Sequence, residues 1–470
     1  MLNKIKTQCM LKPNAIAYKN NNNCISYKEL WDKANIYSDY LKKQGNEPVI
    51  IYGDKEVNFI ITILACLLAN RTYIPINIKT PINRINNIID MTNASLIISD
   101  YNIDISNIAI CKLEDTIKYN DEPLKEIDND IVYIIFTSGS TGNPKGVPIS
   151  KDNLNNFINW ISNIYPLSIY QNINVLNQAS FSFDLSVADL YYSLCNGHTL
   201  VALEGNILTD YSKIYDIFFK DSINVAVMTP SLMKLCLLNK EFNERNYPNF
   251  KCVYFCGERL EVKIASKLLE AFPSLNVINA YGPTEATSAI SSILITKDII
   301  EKNEILPVGI IEDSACNIEI IDDEIVLKGK SVFNGYIGGI TGGYYDEHGI
   351  NCYKTGDIGY IKDNYLYCKG RKDNQIKYKG YRIELDEIEL NILKLSEVKD
   401  CCVVAKYNNE NIVNSIKAFV ITNSKISVEE IKDELNKLLP EYMIPRIIKI
   451  VDELPLNSNG KIDRKALSNL

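Results

Sequence analysis

Histidine is almost missing from this chain: its 470 residues include only two, His198 and His348. A histidine-rich zinc site and a Ser-His-Asp triad are therefore hard to assemble from this sequence. The thirteen cysteines form no C-x-x-C pair and are odd in number, a pattern that favours reduced thiols over a disulfide framework. Other side chains must carry the chemistry.

Positive charge and long apolar runs are also scarce. The formal charge is −8, and a nucleic-acid partner is not expected because phosphate affinity comes from clustered Lys and Arg. The longest apolar run, residues 59–69, is shorter than the roughly 20 residues needed to cross a bilayer. The start, MLNKIKTQCM, lacks the apolar core of a signal peptide. We therefore expect a cytoplasmic protein with no membrane insertion, in which residues 59–69 form a buried helix.

Short runs of β-branched residues alternate with helical patterns between residues 26 and 370. This alternation predicts an α/β fold, whose ligands bind beyond the carboxyl ends of its strands. After Gly370 a charged stretch leads into a compact mixture of strands and helices. We predict a large N-terminal domain of layered sheets and helices, residues 1–372, and a smaller α+β C-terminal domain, residues 373–470, on a hinge. The runs predicted as strands are residues 48–52, 96–99, 131–136, 224–228 and 252–255.

The sequence TSGSTGNPKG, residues 137–146, follows one of these strands. Its hydroxyl groups, glycines and lysine predict a loop that surrounds phosphate oxygens. A solvated turn is the alternative for a shorter Gly/Ser stretch, and the spacing is not that of a Walker A motif because Pro144 stands where that motif has glycine. The residues predicted to bind phosphate are Thr137, Ser138, Gly139, Ser140, Thr141, Gly142 and Lys145.

Residues 133–146 resemble the signature loop of the adenylate-forming superfamily, which includes acyl-CoA ligases, luciferases and the adenylation domains of nonribosomal peptide synthetases. The resemblance covers nearly the whole chain. It extends to SYKEL at residues 26–30 and LLANRTYIPIN at residues 67–77, which we assign to the fold alone. It implies ATP and Mg²⁺ as cofactors.

NAYGPTEAT, residues 279–287, resembles the nucleotide motif of this superfamily. The resemblance implies that Tyr281 packs on adenine, that Thr284 meets the α-phosphate, and that Glu285 binds Mg²⁺. An aromatic face suits a purine and a carboxylate suits a hard cation. The nucleotide-binding residues implied here are Asn279, Ala280, Tyr281 and Thr284.

Three later motifs complete the implied nucleotide site. YKTGD supplies Asp357 for the ribose hydroxyls, and GRKDNQIKYKGYRIE supplies Arg371 for ribose or phosphate and Asp373 as the hinge. NGKIDRKAL supplies Lys461, which in the superfamily contacts both the carboxylate substrate and the α-phosphate. Lys461, Thr284 and Glu285 are therefore the predicted catalytic residues.

The acid substrate is indicated by NQASFSFDLSVADLYYSL, which places Asp184 where amino-acid-activating members keep a counter-charge for the α-ammonium group. Within these members the chain most resembles the ligases that attach D-alanine to a carrier protein. Cys256 matches their pocket cysteine, whereas Ser288 stands where they have valine. The predicted substrate-binding residues are Asp184, Cys256, Gly282 and Ser288.

The implied acceptor is the phosphopantetheine thiol of a carrier protein, and Gly380 is the residue predicted to line its path. We expect a monomer. Another small amino acid (serine, glycine, L-alanine or β-alanine) in a pathway resembling nonribosomal peptide synthesis stays open, because Ser288 changes the pocket and residues 310–345 look shortened. An acyl- or aryl-CoA ligase is a further alternative, although it would have no use for Asp184.

Overall fold

The computed structural model describes residues 1–118, 128–204, 212–339, 342–345, 348–408, 412–456 and 462–470. The chain divides into two compact units. The first unit is Met1–Ile78, Thr92–Ile135 and Val147–Gly370, and the second unit is Lys79–Met91, Phe136–Gly146 and Arg371–Leu470. The second unit thus takes two segments from early in the sequence. The functional division at residue 372 and its hinge stay predictions.

The strands follow in chain order. They are β1 (Ile16–Lys19), β2 (Cys24–Ser26), β3 (Val49–Gly53), β4 (Tyr73–Asn77), β5 (Leu96–Ile98), β6 (Ala109–Cys111), β7 (Ile131–Thr137), β8 (Lys145–Ser150), β9 (Asn174–Asn177), β10 (Thr199–Ala202), β11 (Val225–Met228), β12 (Cys252–Phe255), β13 (Asn276–Tyr281), β14 (Ser291–Ile295), β15 (Gly309–Ile310), β16 (Asn317–Ile321), β17 (Glu324–Lys328), β18 (Gly343–Tyr345), β19 (Asn351–Lys362), β20 (Tyr365–Arg371), β21 (Gln375–Tyr378), β22 (Tyr381–Glu384), β23 (Val398–Tyr407), β24 (Val413–Thr422) and β25 (Ile447–Ile450).

The helices lie between these strands. They are α1 (Leu2–Leu11), α2 (Tyr27–Lys43), α3 (Val57–Ala69), α4 (Ile82–Thr92), α5 (Lys151–Asn163), α6 (Leu185–Asn196), α7 (Ser212–Lys220), α8 (Pro230–Cys236), α9 (Val262–Ala271), α10 (Lys297–Lys302), α11 (Leu385–Ile392), α12 (Val428–Leu438) and α13 (Arg464–Asn469). Short 3₁₀ turns lie at Leu113–Lys118, Leu167–Ile169, Thr284–Ala286 and Glu441–Met443.

Three sheets build the N-terminal part. An eight-stranded sheet has the order β14-β13-β12-β11-β9-β10-β1-β2, parallel except for its two edge strands β14 and β2. A six-stranded sheet has the order β6-β5-β3-β4-β7-β8. The third sheet, β15-β20-β19-β17-β16 with β18 on β19, pairs antiparallel wherever its register is described.

Local sequence explains where α2 and α5 begin and why α3 is buried. Ser26 caps α2, because its hydroxyl accepts from the Glu29 backbone N–H while the Glu29 carboxylate accepts from the Ser26 N–H. Ser150 and Asn153 form the same reciprocal arrangement at α5. The apolar run 59–69 forms most of α3, whose residues are buried almost throughout. The prediction of a buried helix there is confirmed.

The C-terminal segment of the second unit is an α+β structure. Strands β21 and β22 form a hairpin, and β23, β24 and β25 form a separate sheet. Its apolar core includes Ile383 and Ile388 from the β22–α11 region and Leu435 from α12. The predicted fold class, with its layered sheets and smaller α+β segment, is confirmed. None of the helices in the described part of the chain is both long and apolar enough to cross a membrane.

Candidate active site

The candidate site lies at one edge of the eight-stranded sheet, where the parallel strands β9, β11, β12 and β13 end. Ligands of α/β sheets bind at such an edge because the carboxyl ends of parallel strands meet there. The segment after β9 leads to Asp184 at the start of α6, β12 is followed by Cys256, and β13 ends at Tyr281. Three separate sequence motifs therefore lie at the carboxyl ends of parallel strands of one sheet.

Asp184 and Thr284 contact each other across a separation of 100 residues. The Thr284 hydroxyl donates to Asp184 Oδ2 at 2.7 Å. Although Asp184 stands at the N-cap position of α6, its side chain makes no capping hydrogen bond. The Asp184 side chain therefore does not cap α6, and its half-buried carboxylate is joined to a residue predicted to meet the α-phosphate.

Tyr281 and Asp357 join two sheets. The Tyr281 hydroxyl donates to Asp357 Oδ2 at 2.6 Å, and both residues are buried. Burial, reinforced by the charge of Asp357, raises the pKa of Tyr281 well above its ordinary value, so the hydroxyl stays protonated and donates. A β-bulge in β19 presents Asp357: Gly356 has a φ of +75°, and the Asp357 N–H donates to the Thr355 hydroxyl at 3.0 Å.

Glu285 is fully buried and held from two sides. The Tyr336 hydroxyl donates to Glu285 Oε1 at 2.6 Å, and the Phe333 N–H donates to the Glu285 carbonyl at 2.9 Å. Within the described residues, no group of three or more His, Cys, Asp or Glu side chains is arranged to hold a metal. One fixed carboxylate together with phosphate oxygens is a ligand set that Mg²⁺ accepts, so Glu285 fits its predicted role.

Cys256, Gly282 and Ser288 are the residues, besides Asp184, that are predicted to bind the substrate. The Cys256 thiol lies 3.8 Å from the Ser288 carbonyl oxygen and can donate to it. A Cβ at Gly282 would lie 2.5 Å from Ala289 Cα, so only glycine allows this backbone approach. Thr287 and Ser288 have φ values of +59° and +71°, and such strained non-glycine residues concentrate at functional sites. The buried Ser288 hydroxyl has no hydrogen-bond partner within the described residues.

Asn279 and Ala280, the other two residues of the nucleotide motif, lie on β13 and are buried. The Asn279 amide donates to the Pro307 carbonyl at 2.8 Å. This bond fixes the strand end against the segment before β15. Their contact with nucleotide stays a prediction.

The predicted phosphate loop belongs to the second unit. The Ser138 hydroxyl donates to the Arg382 carbonyl at 2.9 Å and accepts from the Glu384 N–H at 3.0 Å. A Cβ at Gly139 would lie 2.1 Å from the Asn143 carbonyl oxygen, and Gly142 has a φ of +81°, so both positions require glycine.

Cationic and hydroxyl groups line the rest of this loop. Lys145 Nζ donates to the Ser140 hydroxyl at 3.3 Å, Thr141 is exposed, and the buried Thr137 hydroxyl has no hydrogen-bond partner in the described chain. The loop thus carries the donors expected of a phosphate site, whose occupancy by phosphate stays a prediction.

Arg371, Asp373 and Gly380 also belong to the second unit. Arg371 donates to both oxygens of Asp373, at 2.7 and 2.6 Å. Burial alone would raise the pKa of Asp373, but the bonds and charge of Arg371 outweigh it and lower that pKa. Lys379 and Gly380, with φ of +54° and +84°, form the two-residue turn between β21 and β22. Lys461 lies outside the described residues.

A buried lysine that no motif indicates supports the Asp184 segment. Lys55 Nζ donates to the Asn177 carbonyl at 2.9 Å, to Asn177 Oδ1 at 2.6 Å and to the Gln178 carbonyl at 3.1 Å. The Asn177 amide in turn donates to Asp189 Oδ2 at 2.9 Å. Burial lowers the pKa of Lys55 to about 8. These contacts fix both ends of residues 177–189, the stretch that carries Asp184. The sequence analysis missed Lys55 because a single lysine in a polar segment matches no motif.

Two family models match this chain: residues 5–337 match the AMP-binding enzyme family, and residues 387–461 match the AMP-binding enzyme C-terminal domain. The chain belongs to the AMP-binding enzyme family. The predicted relationship to adenylate-forming enzymes is therefore confirmed.

Individual relatives narrow this class. The chain is 39% identical to D-alanine--D-alanyl carrier protein ligase of Listeria monocytogenes, covering 95% of this chain and 94% of that protein. It is 37% identical to the protein of that name from Bacillus velezensis, covering 99% and 98%. The crystal structure of the Vibrio cholerae adenylation domain AlmE in complex with glycyl-adenosine-5'-phosphate shares the fold, with a TM-score of 0.85 and 24% identity over 100% of this chain and 97% of that one.

Proposed function

We propose that this enzyme activates D-alanine with ATP as an aminoacyl adenylate and transfers it to the phosphopantetheine thiol of a carrier protein. The hydrogen bond between Thr284 and Asp184 is the observation that carries the proposal. It brings the residue predicted to hold the ammonium group into contact with the residue predicted to meet the α-phosphate, which supports a site for an amino acid that attacks that phosphate. The names of the Listeria and Bacillus relatives support D-alanine and a carrier protein as the partners.

Asp184 would hold the α-ammonium group and so orient the carboxylate of the amino acid. That carboxylate is already ionised at neutral pH and needs no general base. Thr284 and the loop donors would stabilise the charge that develops on the phosphate oxygens, together with Lys461. Mg²⁺, held by Glu285 and the phosphates, would supply further charge neutralisation.

Tyr281 and Asp357 would hold the nucleoside. The hydrogen bond between them limits rotation of the tyrosine ring, which would offer its face to adenine, while the Asp357 carboxylate would accept from the ribose hydroxyls. Arg371 is the remaining candidate for ribose or phosphate. It forms a bidentate pair with Asp373, which fixes the position of its guanidinium.

The same pocket supports a second candidate. The buried Ser288 hydroxyl, without a partner in the described chain, favours a substrate that supplies a polar group or leaves room for water. Serine, glycine, L-alanine or β-alanine would then replace D-alanine, with the same adenylation chemistry.

Amino-acid-dependent exchange of pyrophosphate into ATP tests the proposal. We expect D-alanine to give the highest kcat/KM among both enantiomers of alanine and serine, glycine and β-alanine. The differences should be about 10- to 200-fold, because one methyl or hydroxyl group is worth roughly 1–3 kcal/mol in such a pocket. Highest activity with serine, glycine, L-alanine or β-alanine would assign the second candidate. Exchange that depends on a simple carboxylic acid and on no amino acid would refute both.

Replacing Lys55 by Met should raise KM for the amino acid about tenfold. The substitution removes the three bonds from Lys55 to residues 177 and 178, and the loss of the donor to buried Asn177 Oδ1 costs roughly 1–3 kcal/mol. Because Lys55 does not touch nucleotide in this proposal, KM for ATP should change little. Lys28→Met, at an exposed i,i+4 pair with Asp32, is the control. Unchanged kinetics in Lys55→Met would argue against a positioning role.

The effect of Lys55→Met on stability should depend on pH. Since burial lowers the pKa of Lys55 from 10.5 to about 8, the folded chain releases this proton before the unfolded chain does. The unfolded state binds more protons between these two values, so the parent should gain stability relative to Lys55→Met as the pH rises through this range. Thermal unfolding of both proteins at pH 7.5 and pH 9.5 measures the difference; parallel shifts of the two would contradict it.

A further inference from the structure

A glutamate carboxylate accepts a hydrogen bond from the backbone of the predicted phosphate loop. Within the second unit, the Gly139 N–H donates to Glu387 Oε2 at 2.8 Å. This N–H lies in the middle of TSGSTGNPKG, the segment whose backbone donors would receive phosphate oxygens. A carboxylate oxygen and a phosphate oxygen are both anionic acceptors that backbone N–H groups bind in the same way.

One face of α11 contacts the loop through three residues. Glu387, Leu390 and Asn391 have the i, i+3, i+4 spacing of neighbours on a helix surface. Leu390 Cβ lies 3.1 Å from where a Cβ of Gly142 would stand, and the Asn391 amide donates to the Gly142 carbonyl at 3.4 Å. The loop is therefore packed against α11 at both of its required glycines.

The charge of Glu387 is balanced locally by Arg84 of α4. Arg84 Nη1 donates to Glu387 Oε1 at 2.6 Å, and the side chains are only 7% and 1% exposed. A buried carboxylate is stable when it is paired and hydrogen-bonded, which these two contacts achieve. The pair thus places a carboxylate, balanced by the Arg84 guanidinium, against the backbone of the loop.

We infer that Glu387 stands in for a nucleotide phosphate at Gly139, so that ATP must displace it and separate α11 from the loop. This inference rests on the proposed function. A single N–H cannot fully serve two anions, and the two like charges would repel each other. Glu387 is therefore an internal competitor that weakens ATP binding and keeps the loop ordered until nucleotide arrives.

Glu387→Gln tests this competition because glutamine keeps the shape and can still accept from Gly139, but it has no charge. We expect the Kd for ATP, measured by calorimetry on the full chain, to fall about 3- to 10-fold, with KM for the amino acid unchanged. Glu429→Gln, the same substitution in the first turn of α12, is the matched control. It should leave the Kd for ATP unaltered.

The double variant Arg84→Met, Glu387→Gln separates competition from a new attraction. The double variant lacks both buried charges, those of Arg84 and Glu387. If it also binds ATP more tightly than the parent, the result supports displacement of Glu387 by ATP. Tighter binding in the single variant alone would mean that freed Arg84 attracts phosphate, and would overturn the inference. Unchanged or weaker binding in both variants, while the parent still catalyses amino-acid-dependent exchange, would overturn the inference alone. If the parent binds ATP but none of the amino acids supports pyrophosphate exchange, the proposed function is refuted instead.

Discussion

Asp184→Asn should remove most amino-acid-dependent pyrophosphate exchange. Asparagine keeps the size of the side chain and an oxygen that can still accept from Thr284, so the contact with Thr284 can persist. What disappears is the counter-charge for the substrate ammonium. Losing one partner of a buried, hydrogen-bonded charge pair costs about 2–5 kcal/mol, which corresponds to a decrease in kcat/KM of roughly 30-fold to several thousandfold.

The control for this substitution is Asp152→Asn, the same chemical change at an exposed position in the first turn of α5. It should retain the exchange rate of the parent. The Kd for ATP should be similar in Asp184→Asn and the parent, since the ammonium site is separate from the nucleoside contacts of Tyr281 and Asp357. An Asp184→Asn protein that keeps the parent kcat/KM for D-alanine would show that this carboxylate does not bind the substrate.

Resemblance to the adenylate-forming superfamily nominated Asp184, Tyr281 and Asp357 for the site. The α/β alternation adds that Asp184 and Tyr281 lie near the carboxyl ends of parallel strands, where ligands bind. Asp357 lies within β19 at a bulge that the sequence does not indicate. The pairing of Asp184 with Thr284 joins residues 100 positions apart, and no local pattern indicates such a partner. The order of motifs therefore predicted which residues to consider, whereas their contacts required the folded chain.

The residues missed by the sequence analysis share a physical reason. Lys55, Arg84 and Glu387 are charged side chains in segments that look like solvated surface, where charged residues usually lie. Their burial depends on partners distant in the sequence: Asn177 for Lys55, and Gly139 and Arg84 for Glu387. The two-unit division has the same origin, since α4 and the loop 136–146 belong with the last hundred residues through contacts, not through sequence proximity.

Gly380→Leu should separate the two half-reactions. Gly380 has a φ of +84° in the β21–β22 turn, where a residue with a Cβ costs about 1–2 kcal/mol of backbone strain. Alanine and leucine bear this strain alike, so Gly380→Ala is the control for the backbone and the difference between the two variants reports side-chain bulk. If the thiol arm passes Gly380, leucine should slow transfer to a phosphopantetheinylated D-alanyl carrier protein by about 100-fold, since a displacement of roughly 1 Å is enough for such a loss.

Adenylate formation should survive the same substitution. We expect pyrophosphate exchange within about threefold of the parent in both Gly380 variants, because neither adds nor removes a charge or a hydrogen-bonding side chain. Lys379→Leu places the same side chain one position earlier in the turn, at a φ of +54°, and should leave transfer much less affected. Single-turnover transfer of radiolabelled D-alanine from preformed adenylate measures the second step alone. Equal losses of exchange and transfer in Gly380→Leu, or equal effects of leucine at positions 379 and 380, would mean that the turn stabilises the fold and does not line the thiol path.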